Sequence, residues 1–302
     1  MRPSPAACLT LVVAAMSACS PPVTVESISV GPGRSCGLAD DGLICWGGSD
    51  AWNSDETAPP QVDLASVSLG TVHACGLDEG GHAHCWGPAA EQVITVPDDL
   101  VEVAFARLAA GHDFNCGIRR DDGSLACWGI NPVNAGCGLD PEGECGGQLD
   151  PPVGDFVDLS FGDSFYGFCA LDTDGRAACW GGAIDDTPPL RFLAIGAGAS
   201  HACGVVDDES VVCWGAARGD PWIEPPDGRF ADVTAGFNHS CGLTTEGRAI
   251  CWGAGPAVDA PVPDDTFVAI DAGAHQTCGL TAAGFVSCWG LDSETGAPSA
   301  GP

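Results

Sequence analysis

The chain has no lysine: all 10 basic residues among its 302 are arginine. That absence removes the P-loop lysine, the pyridoxal Schiff base and the Ser-x-x-Lys pair of acyl-transfer enzymes. No Gly-x-Ser-x-Gly nucleophile elbow is present, and no nucleophile, base and orienting group can be assembled from the residues. Against 41 acidic residues the net charge is −31, the wrong sign for displacing counterions from a nucleic acid. The same charge repels an anionic membrane and steers partners with a basic face. No stretch is apolar over the length a bilayer-crossing helix needs, and helical periodicity is nearly absent.

Cysteine and glycine are abundant, with 18 and 43 residues. Cys-Trp-Gly occurs seven times, each time with a second cysteine upstream. The pairs are Cys36/Cys45, Cys75/Cys85, Cys116/Cys127, Cys169/Cys179, Cys203/Cys213, Cys241/Cys251 and Cys278/Cys288. Repetition at a fixed scale specifies architecture before any local reading. Cys137 and Cys145 frame one more short loop. With Cys8 and Cys19 set aside, the remaining even set reads as eight disulfides, hence an oxidising compartment. The spacing is not that of a zinc knuckle.

Residues 1–18 read as a secretory leader: Arg2, then the apolar run Ala6 to Ala18, too short to span a bilayer. It ends Met16-Ser17-Ala18-Cys19, which resembles a bacterial lipobox with Met in the usual Leu position. Cys19 is thus the expected lipid anchor, residues 19–22 a short tether, and the destination the outer membrane or cell surface. An ordinary secretory signal would instead leave a periplasmic or secreted protein. Losing Arg2 with the leader would take the charge from −31 to −32.

Each repeat has one grammar. A short run of small residues ends in Gly, as in Asp232-Val233-Thr234-Ala235-Gly236 and Ile270-Asp271-Ala272-Gly273. A cysteine, a polar turn and a strand ending in Cys-Trp-Gly follow, and the alternation in both runs predicts β-strands. In the sixth repeat Thr245-Glu246-Gly247 suits a three-residue hairpin loop. The first repeat suits a two-residue loop at Asp40-Asp41, and the third a loop of four. Pairing about these loops sets the two cysteines opposite each other, close enough to bridge. Proline-rich connections such as Pro59-Pro60 and Pro225-Pro226 predict an outer edge. The reading is all-β: a seven-bladed propeller of four-stranded blades over residues 23–290, one disulfide hairpin per blade. The successive tryptophan spacings of 40, 42, 52, 34, 38 and 37 residues suit blades. Ser20 to Val25 is expected to complete the seventh blade, with the tail at 291–302 as the competing closure.

The pattern Gly-x-x-His-x-Cys-Gly-Leu…Gly…Cys-Trp-Gly resembles the regulator-of-chromosome-condensation repeat family, whose members form seven-bladed propellers. His73, His201 and His239 occupy the family's His position, and Trp128-Gly129-Ile130-Asn131 with Gly147-Gln148-Leu149 matches a Trp-Gly-x-Asn…Gly-Gln-Leu signature split by an insertion. Most repeats lack the Gly-Gln-Leu element, and the paired cysteines are an addition.

Residues the repeat does not account for are the functional candidates. They are the 131–152 insertion stapled by Cys137 and Cys145, with Asn131 and Gln148, and the extra tryptophans Trp52 and Trp222. Exposed tryptophans anchor interfaces. The plainer alternatives are a tolerated insertion and tryptophans that cap their own blades. The repeat histidines, His82-Ala-His84 and Asp172-Thr-Asp174-Gly175 read better as scaffold or turn than as metal ligands, and Arg218-Gly219-Asp220 is a short chance match. No metal, cofactor or catalytic residue is expected. The resulting expectation is a non-catalytic, monomeric, extracytoplasmic propeller. It would recognise a protein, with a basic face as one possibility, through loops on one face, and touch the membrane only through lipid. Secreted relatives of the fold that inhibit enzymes make an inhibitor of an extracellular enzyme the narrower version. Nucleotide exchange, by the family's name, and an extracellular hydrolase or lectin are the alternatives.

Overall fold

The computed structural model describes residues 23–47, 58–130, 147–162, 167–181, 184, 186–215 and 224–291. These form seven antiparallel sheets of three consecutive strands each. The inner strands are Ser27–Gly31, Leu64–Leu69, Phe105–Ala110, Phe156–Phe161, Phe192–Ala197, Phe230–Ala235 and Phe267–Ala272. The middle strands are Arg34–Ala39, Ala74–Asp78, Phe114–Arg119, Phe168–Asp172, His201–Val206, His239–Thr244 and Gln276–Thr281. The outer strands are Gly42–Gly47, Ala83–Trp86, Leu125–Gly129, Ala177–Trp180, Val211–Gly215, Ala249–Gly253 and Val286–Gly290.

The hairpin register is the expected one. The facing cysteines of the middle and outer strands are Cys36 and Cys45, Cys75 and Cys85, Cys116 and Cys127, Cys169 and Cys179, Cys203 and Cys213, Cys241 and Cys251, and Cys278 and Cys288. All seven pairs are disulfide-bonded, with Cα atoms 4.0–4.1 Å apart. The two-, three- and four-residue loops fall where anticipated: Ala39 pairs with Gly42, Thr244 bonds Arg248, and Arg119 bonds Ser124.

The two cysteines of a pair, equivalent in the sequence reading, differ in setting. Every middle-strand member is fully buried, whereas the outer-strand members Cys45, Cys85, Cys127, Cys179, Cys213, Cys251 and Cys288 are only partly buried. The outer strand is the last of its sheet, so one flank of each outer cysteine has no neighbouring strand. Its other contacts are with the following blade. Cys85 packs with Phe105 and Trp128, Cys127 with Phe168 and Trp180, and Cys179 with Phe192 and Trp214. In these three blades the disulfide staples its own hairpin and packs in one cluster with the next blade's aromatic pair.

Each letter of Cys-Trp-Gly thus has a separate task. The tryptophan joins the core of the preceding blade: Trp252 shares a buried cluster with Cys203, Val205 and Cys213, and Trp289 one with Cys241, Leu243 and Cys251. The ring that opens the inner strand packs beside it, as in Phe192–Trp214 at 5.1 Å and Phe267–Trp289 at 5.8 Å. The glycine turns the chain out of the sheet with positive φ in all seven repeats, from 73° at Gly47 to 125° at Gly87. A side chain there would be strained, and at Gly290 a Cβ would stand 2.4 Å from the His275 carbonyl.

Two further expectations are corrected. Among the described residues no fourth strand forms. In two blades the connection contains a short helix instead, Glu91–Ile94 and Pro256–Asp259, each burying one apolar side chain (Val93, Ala257). Prolines remove ladder donors, so these connections cover the outer edge without extending it. Nor does the N-terminal segment add a strand to the seventh blade within Val23–Val25; Ser20 to Pro22 lie outside the described residues. Val25 instead opens the first blade, its N–H donating to the Gly284 carbonyl at 2.9 Å. Phe105, Phe156, Phe192, Phe230 and Phe267 bond the preceding hairpin turn in the same way. Among the described residues the ring thus closes by the same contact that joins other blades; the competing tail beyond Leu291 lies outside them.

Candidate binding faces and the central channel

The strand directions create two different faces. Hairpin turns and inner-strand starts share one, the turn face. The other, the loop face, carries the Gly-x-x-His loops and the ends of the outer strands, as the pairings Arg34–Gly47, Phe114–Gly129 and His201–Gly215 require. Trp52, Asn131, Cys137, Cys145 and Trp222 lie outside the described residues, as does Cys19. The outer strands that lead towards Trp52, the insertion and Trp222 all end on the loop face.

Gln148 is corrected as a contact residue, because it is fully buried. Its Nε2 donates to the Gly181 carbonyl at 3.1 Å, and its own carbonyl accepts the Trp180 indole N–H at 3.1 Å. The Gly-Gln-Leu element thus ties the third blade to the fourth. The polar tie used elsewhere is replaced there by Phe114 edge-on to Phe168 at 5.1 Å.

The repeat histidines are that tie. His73 Nε2 meets Asn115 Oδ1 of the next blade at 2.6 Å, His201 Nε2 meets Ser240 Oγ at 2.8 Å, and His239 Nε2 meets Thr277 Oγ1 at 2.9 Å. Burial holds all three rings neutral and lowers His201 and His239 to about 4. At the junction of the last and first blades Gln276 takes this position, donating to Ser35 Oγ at 3.2 Å.

A second belt runs along the channel. In five of the seven blades the side-chain oxygen two residues before the inner glycine accepts a backbone N–H from the next blade, Ala109 and Gly196 holding that place in the third and fifth. Ser29 takes Leu69 at 3.0 Å, Ser68 takes Ala110 at 3.0 Å, Ser160 takes Ala197 at 2.9 Å and Thr234 takes Ala272 at 3.1 Å. Asp271 does the same between the last and first blades, accepting from Val30 at 2.7 Å. The inner glycines let neighbouring backbones touch: a Cβ on Gly236 would lie 2.3 Å from the Gly273 carbonyl. Small residues in the inner strands are therefore a packing demand of the axis.

The channel holds a cavity of about 150 Å³ lined by Ser29, Ser68, Ser160 and Asp271 among others. Its wall carries carboxyls that sequence reasoning missed. Burial raises Asp271 to about 7 and Asp232 to about 6, and raises Asp158, which lies 3.3 Å from the Arg107 guanidinium. The available signal was an acid at the Ser/Thr place of the Ile270–Gly273 run. On the turn face Asp78 accepts from both His82 at 3.3 Å and His84 at 3.2 Å. Among the described residues no three His, Cys, Asp or Glu side chains are placed to hold a metal ion. No helix among them is long and apolar enough to cross a membrane.

Residues 230–255, the sixth blade, match the family model described as the Regulator of chromosome condensation (RCC1) repeat. The sixth blade thus matches an RCC1 repeat, and the seven three-stranded sheets fit a seven-bladed propeller. It is similar to the CRINKLY WD40 ectodomain of the Arabidopsis thaliana receptor kinase ACR4, with 26% identity, TM-score 0.71, and coverage of 93% of this chain and 98% of that one. The entire ectodomain of the Physcomitrella patens receptor kinase CR4 is also 26% identical, with TM-score 0.70 and coverage of 89% and 74%. Prp20p from Saccharomyces cerevisiae, described with its binding properties to Gsp1p and histones, shares 16% identity, TM-score 0.59 and coverage of 76% and 72%.

Proposed function

We propose that this RCC1-repeat propeller is a non-catalytic, exported scaffold that binds a protein partner through its loop face. One observation carries the reading. The repeated polar side chains of the blades are consumed by blade-to-blade ties, while the strands leading to the three irregular features all end on one face. Binding residues concentrate on irregular loops held by a rigid scaffold. Seven disulfides fit an oxidising compartment, and the ectodomain likenesses fit an extracellular setting. Within the proposal, residues 1–18 are a leader, Cys19 carries lipid, residues 23–290 are the propeller with the 131–152 insertion as a contact element, and the chain is monomeric. Likeness to Prp20p at 16% carries the fold alone, so nucleotide exchange is not proposed.

The test uses the disulfide-bonded chain as bait on outer-membrane and culture-supernatant extracts. Variants with residues 132–150 shortened and with Trp52→Ala run beside it. A specific partner captured by the parent and lost by both variants supports the loop face. Capture unchanged by both refutes it. Labelled-palmitate incorporation that disappears in Cys19→Ser tests the anchor separately.

A further inference from the structure

The turn face carries a groove that the scaffold does not need. It lies at the junction of the last and first blades, has a volume of about 350 Å³, and is lined by Thr24, Glu26, Asp40, Val268, Ala282 and Ala283 among others. Its two walls differ in kind. The hairpin turns of the first six blades all carry carboxylates, from Asp40-Asp41 to Glu246. The seventh, Thr281-Ala282-Ala283-Gly284-Phe285, carries none. Next to it Val268 is 57% exposed and Phe285 43% exposed. Val268 is the extra residue of a bulge between Phe267 and Ala269, which leaves it outside the ladder. Across the groove stand the exposed carboxylates Glu26 and Asp40, neither in an ion pair among the described residues.

We propose that this groove docks a protein segment in which an apolar side chain stands next to an arginine or lysine. The apolar wall supplies area released from water, and the acidic wall selects the sign of the neighbouring charge. Elsewhere in the ring arginines already engage Asp174, Glu209 and Asp264, whereas among the described residues no arginine pairs with Glu26 or Asp40. Glu26 and Asp40 are left to an incoming cation. An anionic lipid surface is disfavoured by the same two carboxylates. The groove is separate from the loop face. It rests on the reading of the chain as a protein-binding scaffold only for the class of its partner.

The test selects a displayed library of disulfide-constrained heptapeptides on the disulfide-bonded chain, then titrates synthetic copies of the enriched sequences. Enriched peptides are expected to carry Arg or Lys within two positions of Leu, Ile, Val or Phe. Val268→Asp and the charge reversals Glu26→Lys and Asp40→Lys are each expected to weaken binding at least tenfold, while Phe237→Asp on the loop face changes it less than twofold. All four positions are exposed, and unchanged melting curves verify that the variants fold. Lack of enrichment, enrichment without cations, or affinity indifferent to the groove variants would overturn the proposal. So would adsorption to phosphatidylcholine vesicles that Val268→Asp abolishes, since it would assign the groove to lipid. Partner capture unchanged by the loop-face variants while groove peptides still bind would fail the loop-face reading alone, and capture lost in those variants while no peptide depends on the groove would fail the groove alone.

Discussion

The junction between blades six and seven and the junction between blades seven and one use the same positions with different chemistry. At the first, the Thr234 hydroxyl accepts the Ala272 N–H and His239 meets Thr277. At the second, a carboxyl, Asp271, accepts the Val30 N–H, and an amide, Gln276, reaches Ser35. Blades six and seven are also joined by the chain itself. Blades seven and one are joined only by contact, so the second junction alone must hold without covalent help. Its acceptor is the one member of the channel belt that titrates. The seam is therefore where the ring depends most on a single side chain and where pH can reach it.

The largest effect should come from Asp271→Ala, which orphans the buried Val30 N–H. A loss of about 2–3 kcal/mol by denaturant unfolding is expected. Thr234→Val should cost about 1 kcal/mol or less, because the Ala272 N–H retains Asp271 Oδ1 at 3.0 Å. Equal losses at the two positions would erase the distinction between the junctions.

The next effect is in pH. Asp271 has its folded value raised from 3.8 to about 7, by burial first and by Asp232, against the Val30 and Ala272 N–H groups and Thr234, which lower it. Its contribution is therefore fully present below about pH 4 and is lost as pH rises through 7. His201 and His239 have the opposite sign. Their folded values fall from 6.5 to about 4, so their contribution is present above pH 6.5 and lost as pH falls towards 4. Unfolding midpoints from pH 4 to 8 should show both limbs. Asp271→Asn should flatten the alkaline limb, and His239→Gln should flatten the acid limb. A variant that leaves its own limb intact contradicts the assignment.

A smaller effect is expected at the tie itself. His239→Ala should cost about 1–2 kcal/mol, leaving Thr277 buried without its partner. Gln276→Ala should cost about as much at the seam. The smallest belongs to Thr234→Ser, which keeps the oxygen and should change stability by less than about 0.5 kcal/mol.

Much of this fold was legible because its rules are local. Cysteine spacing and turn length together determine which residues face each other across a hairpin, and Asp40-Asp41 and Thr245-Glu246-Gly247 are sufficient for that. Spacing does not distinguish the members of a pair, though. Cys85, Cys127 and Cys179 meet aromatic rings of the following blade, a contact that no hairpin contains. The fourth strand was misread because Pro225-Pro226 and similar pairs signal an edge without saying whether a ladder reaches it. Gln148 was misread because its burial depends on Trp180 and Gly181 of the next blade, which spacing alone cannot bring together. The channel carboxyls share that reason. Asp158, Asp232 and Asp271 lie far apart in sequence and converge only when the ring closes. Likewise the seam groove exists only because the first and last hairpins become neighbours.

The central claim is that Asp271 holds the ring shut. Amide hydrogen exchange at Val30, read residue by residue in Asp271→Ala and Thr234→Val, tests it most directly. The account predicts that Asp271→Ala accelerates exchange at Val30 and along the inner strands of blades one and seven, ahead of the other five. Thr234→Val should leave Val30 unchanged. Val30 exchange that is the same in Asp271→Ala as in the parent chain, at equal global stability, would contradict it.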